Sequence, residues 1–229
     1  MPKFQGFPPQ TLKFLKSLER NNDRDWFREN KARYDKDVLD PSLDFIATMG
    51  PRLAAISDHF LAIPKRMGGS LMRVYRDTRF SKDKTPYKTN IGIQFRHELG
   101  KDVHAPGYYL HIDNVGCFVA AGMWRPDSPS LARVRERIAE HPGDWQKARD
   151  SRPFRAAFEL GGESLKRPPK GFGPDAPHLK DLKRKDFIAS ASVETTEIGR
   201  PEFVDTVADL YAAATPFMRF LCRAIEVEF

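Results

Sequence analysis

The amino-acid sequence predicts a single α+β domain, residues 1–229, in which helices pack on a largely antiparallel sheet. Apolar residues recur every three or four positions through the first sixty residues, which is a helical period. From about residue 70 the period becomes two, which is typical of strands. Helical spacing returns near residue 128 and is clearest over residues 202–228. Helices before and after a run of strands therefore predict one mixed domain, long enough to bury a sizeable core.

The N-terminal segment is predicted to form three helices. Thr11 can cap the first helix, and Asn22 is predicted to cap the second, because an Asn side-chain oxygen can accept from free backbone amides. Asp40 followed by Pro41 marks the start of the third helix. The apolar stripe of this third helix consists of Phe45, Met49, Leu53, Ile56 and Phe60.

The central segment is predicted to form the sheet. Residues 91–96 and 108–112 alternate between apolar and other side chains, which suits half-buried strands. Residues 113–116 form a predicted turn before a strand at 117–124, so this part of the sheet is expected to be an antiparallel hairpin. Residues 70–76 are predicted to form a further strand.

The C-terminal half is predicted to return to helices. Ser128 and Pro129 open one helix, and the Pro/Gly-rich residues 166–178 predict an ordered loop before a short strand at 187–193. A long helix is expected over 202–228, and Pro216 is predicted either to kink it or to begin a new helix.

The composition excludes several classes of protein. With 40% hydrophobic and 11% aromatic residues, the chain is neither collagen-like nor a disordered tail. Cys117 and Cys222 lie far apart in apolar runs, so we expect buried free thiols in a reducing compartment. The N-terminus lacks the apolar stretch of a secretory signal, and no apolar run reaches the length of a membrane span. A cytoplasmic protein with no membrane partner is therefore expected.

The excess positive charge is concentrated in one window. The chain has 38 Lys and Arg against 31 Asp and Glu, a formal net charge of +7. Residues 65–96 contain nine basic and two acidic residues, a net charge equal to that of the whole protein. A second window, 166–185, has a net charge of +5, whereas residues 186–229 have a net charge of −5. A local basic concentration indicates an anionic partner more strongly than an evenly basic surface does.

Residues 73–90, RVYRDTRFSKDKTPYKTN, are the strongest candidate for a site. Arg offers a planar fork that matches phosphate or carboxylate, and Lys offers a compact charge. Asp77 is the candidate catalytic residue, because it can act as a general base or orient an arginine. A solvated charged loop is the competing interpretation. The candidate anion-binding residues are Arg73, Arg76, Arg79, Lys82, Lys84, Tyr87 and Lys88.

The sequence has no other motif that identifies a function. The sequence has no GxSxG, P-loop or GxGxxG motif, which argues against an α/β-hydrolase and against ordinary nucleotide binding. No histidine spacing matches a metal site, so no metal is predicted and any cofactor is unknown. His111, beside Asp113 on a predicted strand, is the best histidine candidate for a functional role.

The chain resembles a conserved hypothetical family, domain of unknown function 2461. Its central string RDTRFSKDKTPYKTN (76–90) and its opening segment at 14–41 resemble the family's signatures, as do YYLHI (108–112), GMWRP (122–126) and RPPKGF (167–172). The resemblance covers nearly the whole chain. It implies a shared fold and a shared site, but no established activity, cofactor or substrate.

Three functions remain open at this point. The first is an enzyme or binding protein for a small phosphate-bearing anion, with residues 73–90 as its site. The second is a nucleic-acid-binding module, because cations interleave with Tyr75, Phe80 and Tyr87. The third is a scaffold whose basic face meets an acidic partner, including another copy of this chain. The oligomeric state is not predicted.

Overall fold

The computed structural model describes residues 3–100 and 106–229. Its helices are α1 (Pro9–Arg20), α2 (Arg24–Glu29), α3 (Lys31–Tyr34), a π-helical turn (Asp35–Leu39), α4 (Asp40–Ile56), α5 (Ser128–Glu140), α6 (Pro142–Asp150), α7 (Arg152–Ala157), α8 (Leu179–Leu182), α9 (Phe203–Ala213) and α10 (Thr215–Ala224). Its strands are β1 (Phe60–Leu61), β2 (Ile91–His97), β3 (Gly107–Ile112), β4 (Cys117–Met123), β5 (Glu159–Leu160) and β6 (Phe187–Val193).

The strands form one antiparallel sheet in the order β1-β2-β3-β4-β6-β5. Ile91 pairs with Ile112, Ile112 with Cys117, and Cys117 with Val193. These four residues therefore mark one end of the sheet. The predicted α+β class and the predicted hairpin are confirmed.

One face of the sheet forms the core with the helices. Ile93 and Phe95 on β2 and Leu110 on β3 are fully buried, because alternate residues of a strand point to the same face. Tyr211 on α9 packs against this face, with its ring centroid 4.6 Å from that of Tyr108 and 6.0 Å from that of Phe95. Burying an apolar side chain such as Ile93, Phe95 or Leu110 contributes about 1.5–3 kcal/mol to folding.

Both cysteines, Cys117 and Cys222, are buried as free thiols, as the sequence predicts. Within residues 3–100 and 106–229, no helix is both long and apolar enough to cross a membrane.

The predicted cap of the second helix is wrong by one residue. Asp23 is the cap, and its carboxylate accepts from the Trp26 amide at 2.8 Å. The Asn22 side chain instead pairs with the backbone of Tyr87, donating to its carbonyl and accepting from its amide, both at 3.0 Å. The Asn22 side chain thus makes the pair of hydrogen bonds that the backbone of a neighbouring strand would make, and it joins two segments that are far apart in the sequence.

The predicted strand at 70–76 is also wrong. Only isolated bridges form there, Leu71 with Ile93 and Tyr75 with Tyr87. Pro86 has no amide hydrogen, so the hydrogen-bonded ladder that includes the Tyr75–Tyr87 bridge cannot extend through Pro86.

Two predicted helices are shorter in the structure. Helix α4 ends at Ile56, and Phe60 begins strand β1 instead of continuing the helical stripe. The predicted helix at 202–228 divides into α9 and α10 at Ala214, with Pro216 in the first turn of α10. Pro is tolerated there because first-turn amides lack helical partners.

A buried ionic cluster joins α6 to α8. The Asp181 carboxylate, only 3% exposed, accepts from Trp145 Nε1 at 2.8 Å, from Arg149 at 2.6 Å and from Arg184 Nε at 2.9 Å. Partial desolvation raises the pKa of Asp181, but these hydrogen bonds together lower it by more than desolvation raises it. The net pKa therefore falls below its usual value. The carboxylate is thus ionised and fully partnered.

We expect Asp181→Asn to lower the free energy of unfolding by about 3–5 kcal/mol, because it leaves buried guanidinium charge without its partner. Asp150→Asn is the matched control, since Asp150 pairs with the same Arg149 but is 33% exposed. The control is expected to cost about 0–1 kcal/mol in urea denaturation. Equal losses in the two variants would contradict the assigned role of Asp181.

Two histidines make contacts at one edge of the sheet: His59 beside β1 contacts Glu98, and His97 at the end of β2 contacts the C-terminal segment. His59 Nδ1 lies 2.6 Å from Glu98 Oε1, and His97 Nε2 donates to the Glu228 carbonyl at 2.8 Å. The two imidazole rings are nearly parallel, with centroids 5.7 Å apart. The hydrogen bond to Glu98 raises the pKa of His59 above its usual value of 6.5.

Protonation of His59 is therefore expected to stabilise the fold at low pH. A raised folded-state pKa makes this contribution complete below about pH 6.5, and the contribution disappears as the pH rises through the folded-state value. In urea titrations, His59→Gln should lose more stability relative to wild type at pH 6 than at pH 9. In a Glu98→Gln background the pH dependence of that difference should shrink, and an unchanged dependence there would refute the assignment.

Candidate functional site

A cavity of about 410 Å³ lies on the sheet face opposite the core. Side chains alternate along the strands, so this face receives Gln94 from β2, Tyr109 and His111 from β3, and Phe118 from β4. Apolar side chains form most of the wall. We call this space the sheet-face cavity, and its other side-chain walls include Met72, Lys88, Asn90, Ala120, Trp124 and Ile188.

A hydrogen-bonded chain of three side chains runs along β3 into this cavity. His111 Nε2 lies 3.0 Å from Asp113 Oδ2, and the Tyr109 hydroxyl lies 3.0 Å from His111 Nδ1. A carboxylate can only accept, so Asp113 places the proton of a neutral His111 on Nε2. Nδ1 is then free to accept the hydroxyl proton of Tyr109.

The turn after β3 holds Asp113 in place. Its Oδ1 accepts from the amides of Val115 at 2.7 Å and Gly116 at 2.8 Å. Partial desolvation raises the pKa of Asp113, but the hydrogen bonds from His111 and the turn amides outweigh it and leave the net pKa lowered. Asp113 is therefore an ionised and preorganised partner for the imidazole.

Burial keeps Tyr109 protonated. It raises the pKa of Tyr109 to about 12, and the negative charge of Asp113 adds to the effect. At neutral pH the phenol therefore remains a hydrogen-bond donor to His111. The His111 ring stacks on Phe118, with centroids 4.7 Å apart and planes 14° apart, which restrains the imidazole from its other side.

Gly92 allows Met72 and Tyr109 to come close over this face. A Cβ atom at Gly92 would lie 3.0 Å from both the Met72 sulfur and the Tyr109 oxygen. Any larger residue would therefore push on both side chains.

Lys88 brings a positive charge to the same cavity. Burial lowers the pKa of Lys88, and the charge of Arg73 lowers it further. Within the described part of the chain, no carboxylate forms an ion pair with Lys88. Asn90 lies beside the histidine, with Nδ2 3.5 Å from His111 Nδ1.

Residues 73–90 form a paired segment that we call the basic arm. Its two sides join through the Arg76 amide, which donates to the Pro86 carbonyl at 2.9 Å, and the Lys88 amide, which donates to the Val74 carbonyl at 2.7 Å. Tyr87 anchors the arm, because its buried ring stacks on Phe27 at a centroid distance of 4.1 Å.

The structure distributes the predicted anion-binding residues unevenly. Lys88 lines the sheet-face cavity and Tyr87 is in the core, whereas Arg73 and Lys82 are exposed. Arg76 is bonded to Asp83 and to the Thr85 hydroxyl, and Lys84 donates to the Thr78 carbonyl at 2.9 Å.

Asp77 forms a two-pronged pair with Arg79. Arg79 Nε donates to Oδ1 at 3.0 Å, and a second guanidinium nitrogen donates to Oδ2 at 2.7 Å. These hydrogen bonds lower the pKa of Asp77 to about 2. Of its two predicted roles, this geometry favours orienting an arginine over acting as a base.

The basic arm and the second basic window, residues 166–185, lead into strands at opposite ends of the sheet. The basic arm leads into Ile91, which is aligned through the strands with Val193, whereas residues 166–185 lead into Phe187 at the other end of β6. Two of the second window's seven cations are paired with carboxylates, Arg184 with Asp181 and Lys185 with Glu163.

The sequence interpretation identified His111 and Asp113 but missed Tyr109, Asn90 and Gln94. The alternation in YYLHI places Tyr109 and His111 on the face opposite Tyr108, so their proximity was predictable from the strand period alone. No group of three or more His, Cys, Asp or Glu residues within 3–100 and 106–229 could hold a metal ion.

A family model described as a conserved hypothetical protein (DUF2461) matches residues 10–220, which is nearly the whole chain. Neither a curated protein nor a solved structure matches.

The hydrogen-bonded chain predicts one tautomer for neutral His111. We expect long-range ¹H–¹⁵N NMR at a pH where the ring is neutral to show the proton on Nε2. Asp113→Asn should give a mixture of tautomers, because an amide can donate to the ring as well as accept from it. Tyr109→Phe is the control, since it removes the hydroxyl and leaves Asp113 in place. A proton on Nδ1 in the wild type would contradict the geometry.

Proposed function

The chain belongs to the DUF2461 family of conserved hypothetical proteins, and we propose that it binds a small organic anion in the sheet-face cavity and transfers a proton on it. The observation that supports this most is one cavity lined by Lys88, Tyr109 and His111, in which His111 is also hydrogen-bonded to Asp113. Lys88 attracts a negative charge, and the hydrogen-bonded chain of Asp113, His111 and Tyr109 can relay a proton.

The position of Lys88 is the evidence that the ligand is an anion. A half-buried ammonium group without a carboxylate partner is costly, and the lowered pKa of Lys88 reflects that cost. A phosphate or carboxylate group on a ligand would supply the missing charge. Asn90 and Gln94 add neutral hydrogen-bonding groups in the same cavity.

The cavity wall supports a ligand with an apolar body. Phe118, Trp124 and Met72 present flat or polarisable surfaces, and Ala120 leaves room between them. Binding a phosphate-bearing small molecule fits this wall better than binding inorganic phosphate alone, because the apolar body would also remove water from these surfaces.

The three-residue chain supports proton transfer. A ligand group that releases a proton to the Tyr109 oxygen would let the original hydroxyl proton pass to His111 Nδ1. The resulting imidazolium would then donate to Asp113 through Nε2. The reverse transfer, to a different atom of the same ligand, restores the starting state of the protein and completes the proton shift, so the cycle uses no other reagent. The roles resemble those of a nucleophile–base–orienter arrangement, with a phenol in the first position.

Binding is testable by thermal shift with phosphate, phenyl phosphate, benzoate and nucleoside monophosphates. A ligand at about 100 times its Kd adds about 2.7 kcal/mol of stability, which is several degrees for a domain of this size. We expect an anion with an apolar body to raise the melting temperature of wild type and not that of Lys88→Met, because the variant keeps the length of the side chain and removes its charge.

Lys147→Met is the charge control, since Lys147 is exposed on α6. Tyr109→Phe should retain most of the ligand-induced shift, because it changes the proton relay and not the positive charge. An unshifted wild type across the panel, or an equal shift in Lys88→Met, would contradict the proposal.

A further inference from the structure

The tip of the basic arm is braced by its own carboxylates. Asp83 Oδ1 accepts from both the Thr85 amide at 2.9 Å and the Thr85 hydroxyl at 2.8 Å, and its other oxygen is bonded to Arg76. Asp77 holds Arg79 through two hydrogen bonds. Both acidic residues of the arm are thus occupied in fixing its conformation.

The arm retains an excess of positive charge after this bracing. It contains six Lys and Arg residues against two Asp, which is a formal net charge of +4. Arg73, Lys82 and Lys84 are exposed, and the side chain of Arg79 is 77% exposed even while paired. These cations are therefore available to an external partner.

The arm also exposes two aromatic rings. Tyr75 is 52% exposed, and its ring lies 5.4 Å from that of Tyr87, which stacks on the buried Phe27. This row of rings starts in the core and ends at a partly open ring face. Phe80 is 95% exposed, and the Arg79 guanidinium lies 5.8 Å from its ring centroid.

We propose that the basic arm binds single-stranded nucleic acid, with Tyr75 and Phe80 stacking on bases and Arg73, Lys82 and Lys84 contacting phosphates. Positive charge interleaved with exposed aromatic rings is the arrangement used for single strands, because every base has a face on which a ring can stack. This inference concerns a different surface from the sheet-face cavity and does not depend on the proposed small-molecule function.

Two other partners fit the arm less well. An anionic membrane would be expected to meet several large apolar side chains on one face, and the arm exposes only two aromatic rings among its described residues. An acidic protein would use the cations but would leave the fully exposed Phe80 without a role. Binding to an anionic membrane becomes an outcome of the test.

The test is fluorescence anisotropy of the full chain with a labelled oligothymidylate of about 12 nucleotides. We expect saturable binding at low salt, with an affinity that falls linearly on a log–log plot against salt. Phe80→Ala should weaken binding by about 5- to 140-fold, because stacking on one base contributes about 1–3 kcal/mol. Lys82→Ala should reduce the magnitude of the salt slope by about 0.7.

Leu99→Ala and Lys147→Ala are the matched controls, because they remove an exposed apolar side chain and an exposed charge outside the arm. Both should bind as wild type does. No saturable binding at low salt would overturn the inference. So would equal binding by Phe80→Ala and Leu99→Ala, which would indicate contact through charge alone. Binding of phosphatidylserine vesicles that depends on Phe80, without oligonucleotide binding, would assign the arm to membranes instead.

Discussion

The alternation of side chains along the central strands determines where every other feature of this protein lies. Ile93, Phe95 and Leu110 must face the helices, because their burial supplies much of the driving force for folding. Tyr109 and His111 then necessarily face the other way. A register shift of one residue would exchange the two sets, so the core and the candidate site are specified by the same pairing.

The basic arm depends on this sheet as well. Leu71, two residues before the arm, pairs with Ile93, and the absence of a side chain at Gly92 leaves space for Met72 above the strand. Asn22 then holds the returning side of the arm at Tyr87, which directs Lys88 toward the cavity. Local backbone pairing thus separates Lys88, which enters an apolar space, from Arg73, Lys82 and Lys84, which stay in solvent.

The parts of the fold that follow a local period could be predicted from the sequence. Strands β2 and β3 lie where the alternation places them, and that alternation also implies that Tyr109 and His111 share a face. The role of Asn22 could not be predicted, because an amide that pairs with backbone 65 positions away leaves no local pattern. The charge pattern located the arm but could not tell that Asp77 and Asp83 neutralise two of its arginines.

We propose that a small organic anion binds in the sheet-face cavity and not at the charged tip of the arm. The most direct measurement is a titration with phenyl phosphate followed by ¹H–¹⁵N NMR of the assigned protein. We expect saturable shifts at the amides of Gln94, Tyr109, His111 and Phe118. Shifts confined to residues 77–85, or shifts that fail to saturate anywhere, would contradict it.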